Sequence, residues 1–354
     1  MVPRSVGIPL VAFLALGCDG AGARPDITWR EARVVLSVGG TNARDSLSFG
    51  ALSGLAVTSD RRIAVADAQL SQIILVSAEA KFVGRVGRRG EGPGEFQVPD
   101  GIHIDSDDGL WVRDRVLGRV SVFGQQGEPR QTVALPFRPR MVPWRPLVWH
   151  GELFDWEVGL DSLASGVTTY TLKPVEDASR PPLARIRFEE DLIPGSRLRR
   201  PYARDLEVAV SDDGWLWEAH TDEAVVRGRS LFGAGTRELR FPLEAIPVPR
   251  DEARRIAAGW SETMDVSPSD VAPTYPPILR LVTTEDGGVA VLARDLDSAS
   301  GQTLFVFEGG RTRAYYLPRT IQVTPPPTVR HGSLYAVALD DMSAAEVLVI
   351  DLSW

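Results

Sequence analysis

Short apolar runs alternate with acidic or glycine-rich turns along most of the chain, and residues 84–123 show the pattern most clearly. The apolar run 101–104 is followed by the turn Asp107-Asp108-Gly109, by the run 110–112 and by a third apolar run at 119–123. Aspartate-glycine pairs suit tight hairpins because glycine accepts positive φ angles. The segment therefore predicts an antiparallel strand meander.

Weaker copies of this meander recur along the chain. Six turns of the same kind, each followed by an apolar strand, are centred on Asp60, Asp108, Gly151, Asp213, Asp286 and Gly332. Three of their five spacings are 43 to 48 residues, and the two longer ones contain proline-rich insertions at about 173–201 and 241–277. Repeated four-stranded units arranged radially form a β-propeller. We therefore predict an all-β fold, a six-bladed β-propeller.

The beginning of the fold repeats the order of the first clear blade. Residues 33–40, Phe49 and residues 53–57 follow one another in the same way as residues 82–87, Phe96 and residues 100–104. The chain thus begins with an outer strand that has no blade of its own, and residues 346–352 lack an outer partner. We predict that Val34 to Val38 complete the last blade, which closes the ring and removes an unpaired edge.

The second insertion predicts one short helix. Pro249 suits a first helical turn, Asp251 and Glu252 favour a helix N-terminus, and Gly259 can end the helix. Apolar residues recur at helical spacing, at Ala253, Ile256, Ala257 and Trp260. This helix either caps the central channel or covers the edge of a blade, and we favour the position at the blade edge.

The N-terminus predicts export. Residues 1–17 combine Arg4 with an apolar run too short to span a bilayer, which is typical of a signal peptide. Gly17 precedes Cys18, the chain's single cysteine, and this order resembles a lipoprotein cleavage box. We predict a signal peptide at 1–17, lipidation at Cys18, a linker at 18–26 and the propeller at 27–354. The alternative is an ordinary signal peptide.

The predicted lipoprotein signal places the protein in the periplasm or cell envelope, in contact with a membrane only through its lipid anchor. The sequence does not distinguish anchoring in the inner membrane from anchoring in the outer membrane. The formal net charge of −8 argues against nucleic acid, whose binding depends on clustered Lys and Arg. A lone cysteine excludes an internal disulfide.

The glycine-rich segment at residues 87–96 reads GRRGEGPGEF. It resembles the corner of the form GxxGxGPGEF that precedes the innermost strand in NHL-type six-bladed β-propellers, and the resemblance is specific over the first two blades. It implies the propeller fold. Because members of that family include protein-binding platforms, RNA binders, sensor ectodomains and a few enzymes, the resemblance leaves the function open.

Three groups of residues bear on cofactors and metals. The glycines of residues 87–96 precede a strand and have no lysine nearby, so a blade corner is favoured over a phosphate-binding loop. Acidic residues end successive second strands at Asp67, Asp114, Glu218, Asp295 and Asp340. Local hydrogen bonding to backbone N–H groups is favoured over calcium binding. We predict no cofactor and no metal.

Four histidines are scattered over four blades, at His103, His150, His220 and His331. Only His103 falls on a predicted innermost strand, which makes it a possible channel residue. A structural or surface role is favoured over a zinc or lyase site.

Aromatic and basic residues cluster in the third blade. Trp144, Trp149 and Trp156 lie near three arginines, at Arg138, Arg140 and Arg145. Exposed, they would form a binding patch, because Trp and Arg dominate interface hot spots. Packing of the aromatic residues inside the blade is the alternative, and the pattern favours it.

The sequence contains no recognised catalytic motif. It therefore favours a monomeric, non-catalytic binding module or scaffold at the bacterial cell envelope, which recognises a protein, peptide or glycan ligand through the loops of a propeller face. The alternative is a propeller-type hydrolase or lyase with its site at the central channel.

Overall fold

The computed structural model describes residues 27–41, 47–136, 145–160, 166–177, 179–196, 198–242, 245–261, 266–296 and 298–353. The predicted signal peptide, Cys18 and the linker lie outside these ranges. Among the described residues, no helix has the length and apolarity needed to cross a membrane.

Strands make up most of the described chain. The first half contains β1 (Ile27–Glu31), β2 (Arg33–Gly39), β3 (Leu52–Val57), β4 (Ile63–Asp67), β5 (Gln72–Val76), β6 (Phe82–Val86), β7 (Pro99–Ile104), β8 (Leu110–Asp114), β9 (Arg119–Phe123), β10 (Pro129–Ala134), β11 (Leu147–Trp149), β12 (Glu152–Leu160), β13 (Val167–Pro174) and β14 (Ala184–Glu189). The second half contains β15 (Leu206–Val210), β16 (Trp215–His220), β17 (Val225–Ser230), β18 (Thr236–Arg240), β19 (Ile246–Pro247), the helix α1 (Arg250–Ser261), a 3₁₀ turn (Pro268–Asp270), β20 (Thr274–Tyr275), β21 (Ile278–Thr283), β22 (Val289–Arg294), β23 (Gln302–Glu308), β24 (Arg311–Tyr316), β25 (Thr328–Arg330), β26 (Ser333–Leu339) and β27 (Ala345–Asp351).

These strands form six antiparallel meanders, each ordered from an innermost strand A to an outermost strand D. The blades are β3 to β6, β7 to β10, β11 to β14, β15 to β18, β21 to β24, and finally β25, β26, β27 and β2. The predicted six-bladed propeller is confirmed.

Burial within each blade falls from the inside to the outside. Every residue of β4 and of β8 is buried, whereas the outermost strand β10 is exposed along most of its length. Neighbouring blades pack face to face, so both faces of a middle strand are covered; Ile74 of the first blade, for example, shares a core cluster with Val337 of the last. This packing makes the described ring continuous.

All six predicted turns connect strand A to strand B of a blade. Neighbouring turns touch around the ring: the Ser59 backbone N–H donates to Asp108 Oδ1 at 2.8 Å, and His331 Nε2 lies 2.9 Å from the Thr58 carbonyl oxygen. The His331 backbone N–H also donates to Glu285 Oε1 at 2.9 Å. The six A–B turns therefore lie on one face of the propeller, which we call the turn face.

The N-terminal strand closes the ring as predicted. The strand β2 pairs antiparallel with β27, with Val38 opposite Val347, so the second strand and the last strand of the described chain share the last blade. The preceding strand β1 was not predicted; it pairs in parallel with β24 and adds a fifth strand to the fifth blade. Trp29 of β1 stacks on Tyr316 with ring centroids 5.0 Å apart.

The glycine corners explain the internal repeat at the atomic level. Gly87 has a φ of +78°, and a Cβ on it would lie 2.3 Å from Phe96 Cε2. Gly39 stands in the same relation to Phe49, with a φ of +82° and a separation of 2.5 Å. In both corners an aromatic ring occupies the space that a side chain would need, so the segment acts as a blade corner.

The insertions contain more regular structure than their prolines suggested. Inside the first, β14 is the outermost strand of the third blade, with strictly alternating buried and exposed residues. Proline is tolerated in edge strands better than in central strands, because it has no N–H to donate to a neighbouring strand. Here the prolines flank β14 and do not interrupt it.

Helix α1 follows β19 in the second insertion and runs past the predicted end at Gly259 to Ser261. Its apolar face packs on the connection between the third and fourth blades, where Ala257 and Trp260 meet Ile193. The Tyr202 and Tyr275 hydroxyls each donate to the Glu252 carboxylate at 2.6 Å, which holds the first turn in place. The helix therefore docks on the D-to-A connections, away from the turn face.

Candidate functional site

The innermost strands surround a central channel, which contains cavities close to the turn face. Two adjoining cavities of about 40 Å³ and about 100 Å³ lie there. Both are lined by the side chains of His103, Arg145, Asp212 and Thr283, which come from four different blades. The closed ring thus gathers residues that are far apart in sequence.

His103 lies near the end of β7 and is 5% exposed. The pKa of its imidazole is lowered to about 4, chiefly by burial; the Asp212 and Asp105 carboxylates act to raise it, and the charges of Arg145 and Arg330 act to lower it. At neutral pH His103 is therefore uncharged and offers one donor and one acceptor to the cavity.

Arg145 comes just before β11 and is half-buried. Its Nη2 donates to Thr283 Oγ1 at 3.4 Å, and among the described residues this is the one hydrogen bond of the guanidinium. Burial lowers the pKa of Arg145; the nearby Asp212 carboxylate raises it and the Arg330 guanidinium lowers it. The guanidinium thus lies at the cavity with most of its donors uncommitted within the described chain.

The larger cavity extends to the end of β25. Arg330 lines it, donates from Nη1 to the Val57 carbonyl oxygen at 2.5 Å, and lies 3.9 Å from Glu285 through Nε. Thr284 and Thr328 line the same cavity, are nine-tenths buried, and have hydroxyl oxygens without a hydrogen-bond partner among the described residues. The wall of this cavity is therefore rich in uncommitted hydrogen-bonding groups.

A buried ion pair lies deeper in the channel. Arg280 Nη1 is 3.2 Å from Glu207 Oε1, and both side chains are less than one-tenth exposed. Burial raises the pKa of Glu207 to about 7, although the Arg280 charge and a hydrogen bond from the Leu281 N–H act against it. This carboxyl group therefore titrates near neutral pH.

A second buried ion pair joins the second and third blades. Arg113 Nε is 3.0 Å from Asp100 Oδ1, and its Nη1 is 3.1 Å from Asp155 Oδ1. Burial raises the pKa of both carboxyl groups. Removing one partner of such a group leaves an uncompensated buried charge, so we assign these residues a structural role.

The predicted Trp and Arg patch is not brought together as one surface. Trp156 is fully buried in the core shared by the third and fourth blades, which removes it from any surface patch. Trp149 is half-buried and stacks on Phe232, with centroids 4.4 Å apart and an interplanar angle of 17°. Arg145 lies at the channel instead. The remaining predicted members, Arg138, Arg140 and Trp144, lie outside the described residues.

The acidic residues at the ends of second strands serve their own loops. Asp67 accepts from the Gly50 and Leu70 N–H groups, and Asp114 accepts from four backbone N–H groups of its loops. Hydrogen bonds from the Thr41 and Ala344 N–H groups lower the pKa of Asp340 to about 2. Hydrogen bonding to backbone N–H groups, the favoured interpretation, therefore accounts for Asp67, Asp114 and Asp340.

A group of possible metal ligands lies at the end of β16. One atom from each of His220, Asp222 and Glu223 falls within 4.8 Å of the others. Glu223 is also paired with Arg227, whose Nη1 lies 3.0 Å away. This arginine competes with any cation for the carboxylate.

Sequence reasoning identified His103 as a channel residue and missed Asp212, Thr284, Thr328 and Arg330. Asp212 and Thr284 lie in A–B turns, and Thr328 and Arg330 are the first and last residues of the short innermost strand β25. The position relative to the predicted turns was therefore the available indication. Asp, Thr and Arg occur so often along the chain that residue type alone could not identify these four residues.

Comparisons with known proteins agree on the architecture. A family model described as a 6-bladed beta-propeller matches residues 42–153. No curated protein matches the chain in sequence.

Solved structures resemble the whole chain at low identity. A protein of Bacteroides fragilis whose description calls it exported has a TM-score of 0.52 at 12% identity, covering 92% of this chain and 95% of its own. A member of the DUF4221 family from Bacteroides vulgatus has a TM-score of 0.51 at 9% identity, covering 91% and 98%. A virginiamycin B lyase of Staphylococcus aureus reaches 0.46 at 10% identity, covering 90% and 99%. Likeness at these identities concerns the fold alone. By its strand order, its closure and the family model that matches residues 42–153, the chain is a six-bladed β-propeller.

Proposed function

We propose that this propeller is a non-catalytic binding module or scaffold at the bacterial cell envelope. Its ligand, a protein, peptide or glycan, binds on the turn face. The observation that carries the proposal is the polar cavity at the channel mouth, where a closed ring holds His103, Arg145, Thr284 and Thr328 with unused hydrogen-bonding capacity. Binding sites typically combine a concave surface with a few convergent polar groups.

An aromatic pair on the same face supports the proposal. Trp149 ends β11 beside an A–B turn, and Phe232, which stacks on it, lies in the adjacent C-to-D turn of the fourth blade and is 47% exposed. Gly214 packs against both rings; a Cβ there would lie 2.6 Å from Phe232 and 3.3 Å from Trp149. Arg145 and Trp149 come from one short stretch of the third blade. A ligand could therefore contact an aromatic anchor and a charged cavity together.

The location is part of the same proposal. The signal-like residues 1–17, the linker 18–26 and the start of the fold at Ile27 support export, with Cys18 as the lipid anchor. The similar Bacteroides fragilis protein is described as exported. We further propose that the propeller domain spans residues 27–354, is of the NHL type, is monomeric, and contacts the membrane only through its anchor.

A pull-down from envelope extracts tests the binding role. The double variant Trp149→Ala/Phe232→Ala removes the aromatic pair, and we expect the recovery of its ligand to fall about tenfold, the loss that a hot-spot truncation gives. Phe82→Ala is the matched control, because Phe82 is similarly exposed but lies on the outermost strand of the first blade. Equal recovery by all three proteins would contradict binding at this surface.

A hydrolase or lyase acting at the channel is the second candidate. It is favoured by the pair of Glu207 with Arg280, because Arg280 lines the smaller cavity, 3.2 Å from Glu207, and burial raises the pKa of Glu207 to about 7, close to the operating pH that suits a general base. Mass spectrometry of the recovered ligand separates the two functions. A binding module releases its ligand unaltered, whereas an enzyme releases a cleaved product that disappears with Glu207→Gln.

A further inference from the structure

We propose that the cavity beside Arg145 receives an oxyanionic group of the ligand, of the carboxylate, sulfate or phosphate type. This inference rests on the proposed function and deepens it, because it names the chemistry that the channel mouth recognises. The groups that would hold the anion are Arg145, Arg330 and Thr328, which all line the cavity of about 100 Å³.

Negative and positive side chains lie at different depths in this cavity. The carboxylates of Asp212 and Glu285 belong to exposed residues at the rim, whereas Arg145 and Arg330 are half-buried and Thr284 and Thr328 are buried. A group that enters past the rim therefore meets donors and positive charge. An ammonium group or a metal cation would instead find its carboxylates at the solvent-exposed rim, where water weakens their attraction.

The two guanidinium groups are close enough to affect each other. The charge of Arg330 acts to lower the pKa of Arg145, and both charges act to lower the pKa of His103. Glu285 lies 3.9 Å from Arg330 at the rim. The negative charge of Asp212 acts to raise the pKa of Arg145, but no hydrogen bond between the two is described. An anion between the two arginines would relieve this repulsion, since like charges in a partly desolvated site cost free energy.

The hydroxyl groups give the second, independent observation. Thr284 Oγ1 and Thr328 Oγ1 are buried polar atoms without a hydrogen-bond partner among the described residues. A buried hydroxyl left unpaired destabilises the fold, because it has lost its hydrogen bonds to water and gained none in return. An oxyanion accepts from several donors at once, so one bound group would satisfy the Thr328 hydroxyl and the free N–H groups of Arg145. Thr284 Oγ1 instead faces its own A–B turn, because a Cβ on Gly288 would lie 2.8 Å from it.

Isothermal titration calorimetry of the whole purified protein with sodium sulfate, sodium phosphate or sodium acetate tests the inference, at constant ionic strength maintained with chloride. We expect saturable binding of at least one of these anions, and the order of the three identifies the preferred oxyanion. Arg145→Gln should weaken it about tenfold or more, as expected for loss of a charge-assisted hydrogen bond. Arg130→Gln should leave the affinity unchanged, because Arg130 is exposed on β10 of the second blade.

A second variant covers the case in which Arg145→Gln fails to fold. Thr328→Val keeps the shape of the side chain and removes its hydroxyl, and we expect it to weaken anion binding threefold or more while thermal unfolding stays cooperative. Absence of saturable binding in the wild-type protein would overturn the inference. Binding that survives both variants at full affinity would also overturn it.

The envelope pull-down keeps this test separate from that of the proposed function. If the protein retains an envelope ligand but Arg145→Gln and Thr328→Val retain it equally well, the oxyanion site is wrong and the binding module stands. If the anions bind as expected and no envelope ligand is recovered, the site stands and the proposed function fails.

Discussion

Burial determines the properties of individual side chains in this propeller more than formal charge does. His103 has a pKa of about 4 because its imidazole is removed from water, although two carboxylates act to raise it. Burial raises the pKa of Glu207 to about 7 even though an arginine lies 3.2 Å away. Both residues belong to innermost strands, where packing of the ring leaves each of them less than one-tenth exposed.

The pKa of His103 predicts a pH dependence of stability. Because folding lowers this pKa from 6.5 to about 4, the unfolded chain binds a proton more readily between these values. The stability contribution is fully present above pH 6.5 and is lost as the pH falls towards 4, and it amounts to about 3 kcal/mol. Urea unfolding of wild type and His103→Gln between pH 4 and 7.5 measures it as the difference between the two curves.

The comparison needs a control because other groups titrate in the same range. Because folding raises the pKa of Glu207 from 4.5 to about 7, its contribution to stability decreases as the pH rises between these values. This decrease is common to both proteins. His150→Gln replaces an exposed histidine and should follow the wild-type curve. Parallel curves for wild type and His103→Gln would show that His103 is not protonated on unfolding in this range.

At the scale of elements, the blade and its glycine corner form one repeating unit. The corner brings the chain from one outermost strand to the next innermost strand, and in the first two copies an aromatic ring packs where a Cβ would be. The A–B turns were predictable because they depend on local backbone preferences of aspartate and glycine. The outer strand β14 and the added strand β1 were not, because their pairing is supplied by neighbouring strands.

The corner predicts a difference between two glycines that both have positive φ. Gly87→Ala introduces a Cβ 2.3 Å from Phe96, whereas Gly118, with a φ of +60°, has nothing within 4 Å of the added atom. We expect Gly118→Ala to cost about 1 kcal/mol from backbone strain alone. Gly87→Ala should cost about 3 kcal/mol, because overpacking is added to the strain. Urea unfolding at pH 7 measures both, and equal losses would refute the packing of Phe96 in the corner.

At the scale of the whole molecule, the ring depends on a strand from one end of the fold to complete a blade from the other. Val38 is fully buried in the cluster that joins the first and last blades, and β2 covers the outer edge of β27. The strand β1, by contrast, adds to a blade that already has four strands. The two N-terminal strands therefore differ in what their removal would expose.

Chains that begin at Ile27, Ala32 and Gly40 test this closure. The chain from Ala32 lacks β1 and should unfold cooperatively with a modest loss of stability. The chain from Gly40 lacks β2 as well and leaves β27 as an unpaired apolar edge, which favours aggregation. Size-exclusion chromatography and thermal unfolding compare the three. A monomeric, equally stable chain from Gly40 would show that β2 does not hold the ring closed.

The sequence by itself determined the number of blades, the positions of the A–B turns and the pairing of the N-terminal strand with the last blade. These features follow from local turn chemistry and from a recurring strand order, both of which are readable along one chain. The sequence also pointed to His103, because only this histidine falls on an innermost strand.

The tertiary structure decided which polar residues meet. Arg145, Asp212, Thr284 and Arg330 come from different blades, and only the closure of the ring sets the distances between them. It also separated the members of the predicted patch, placing Trp156 in the core and Arg145 at the channel. Side-chain burial depends on contacts between blades, and no local pattern of residues specifies those contacts.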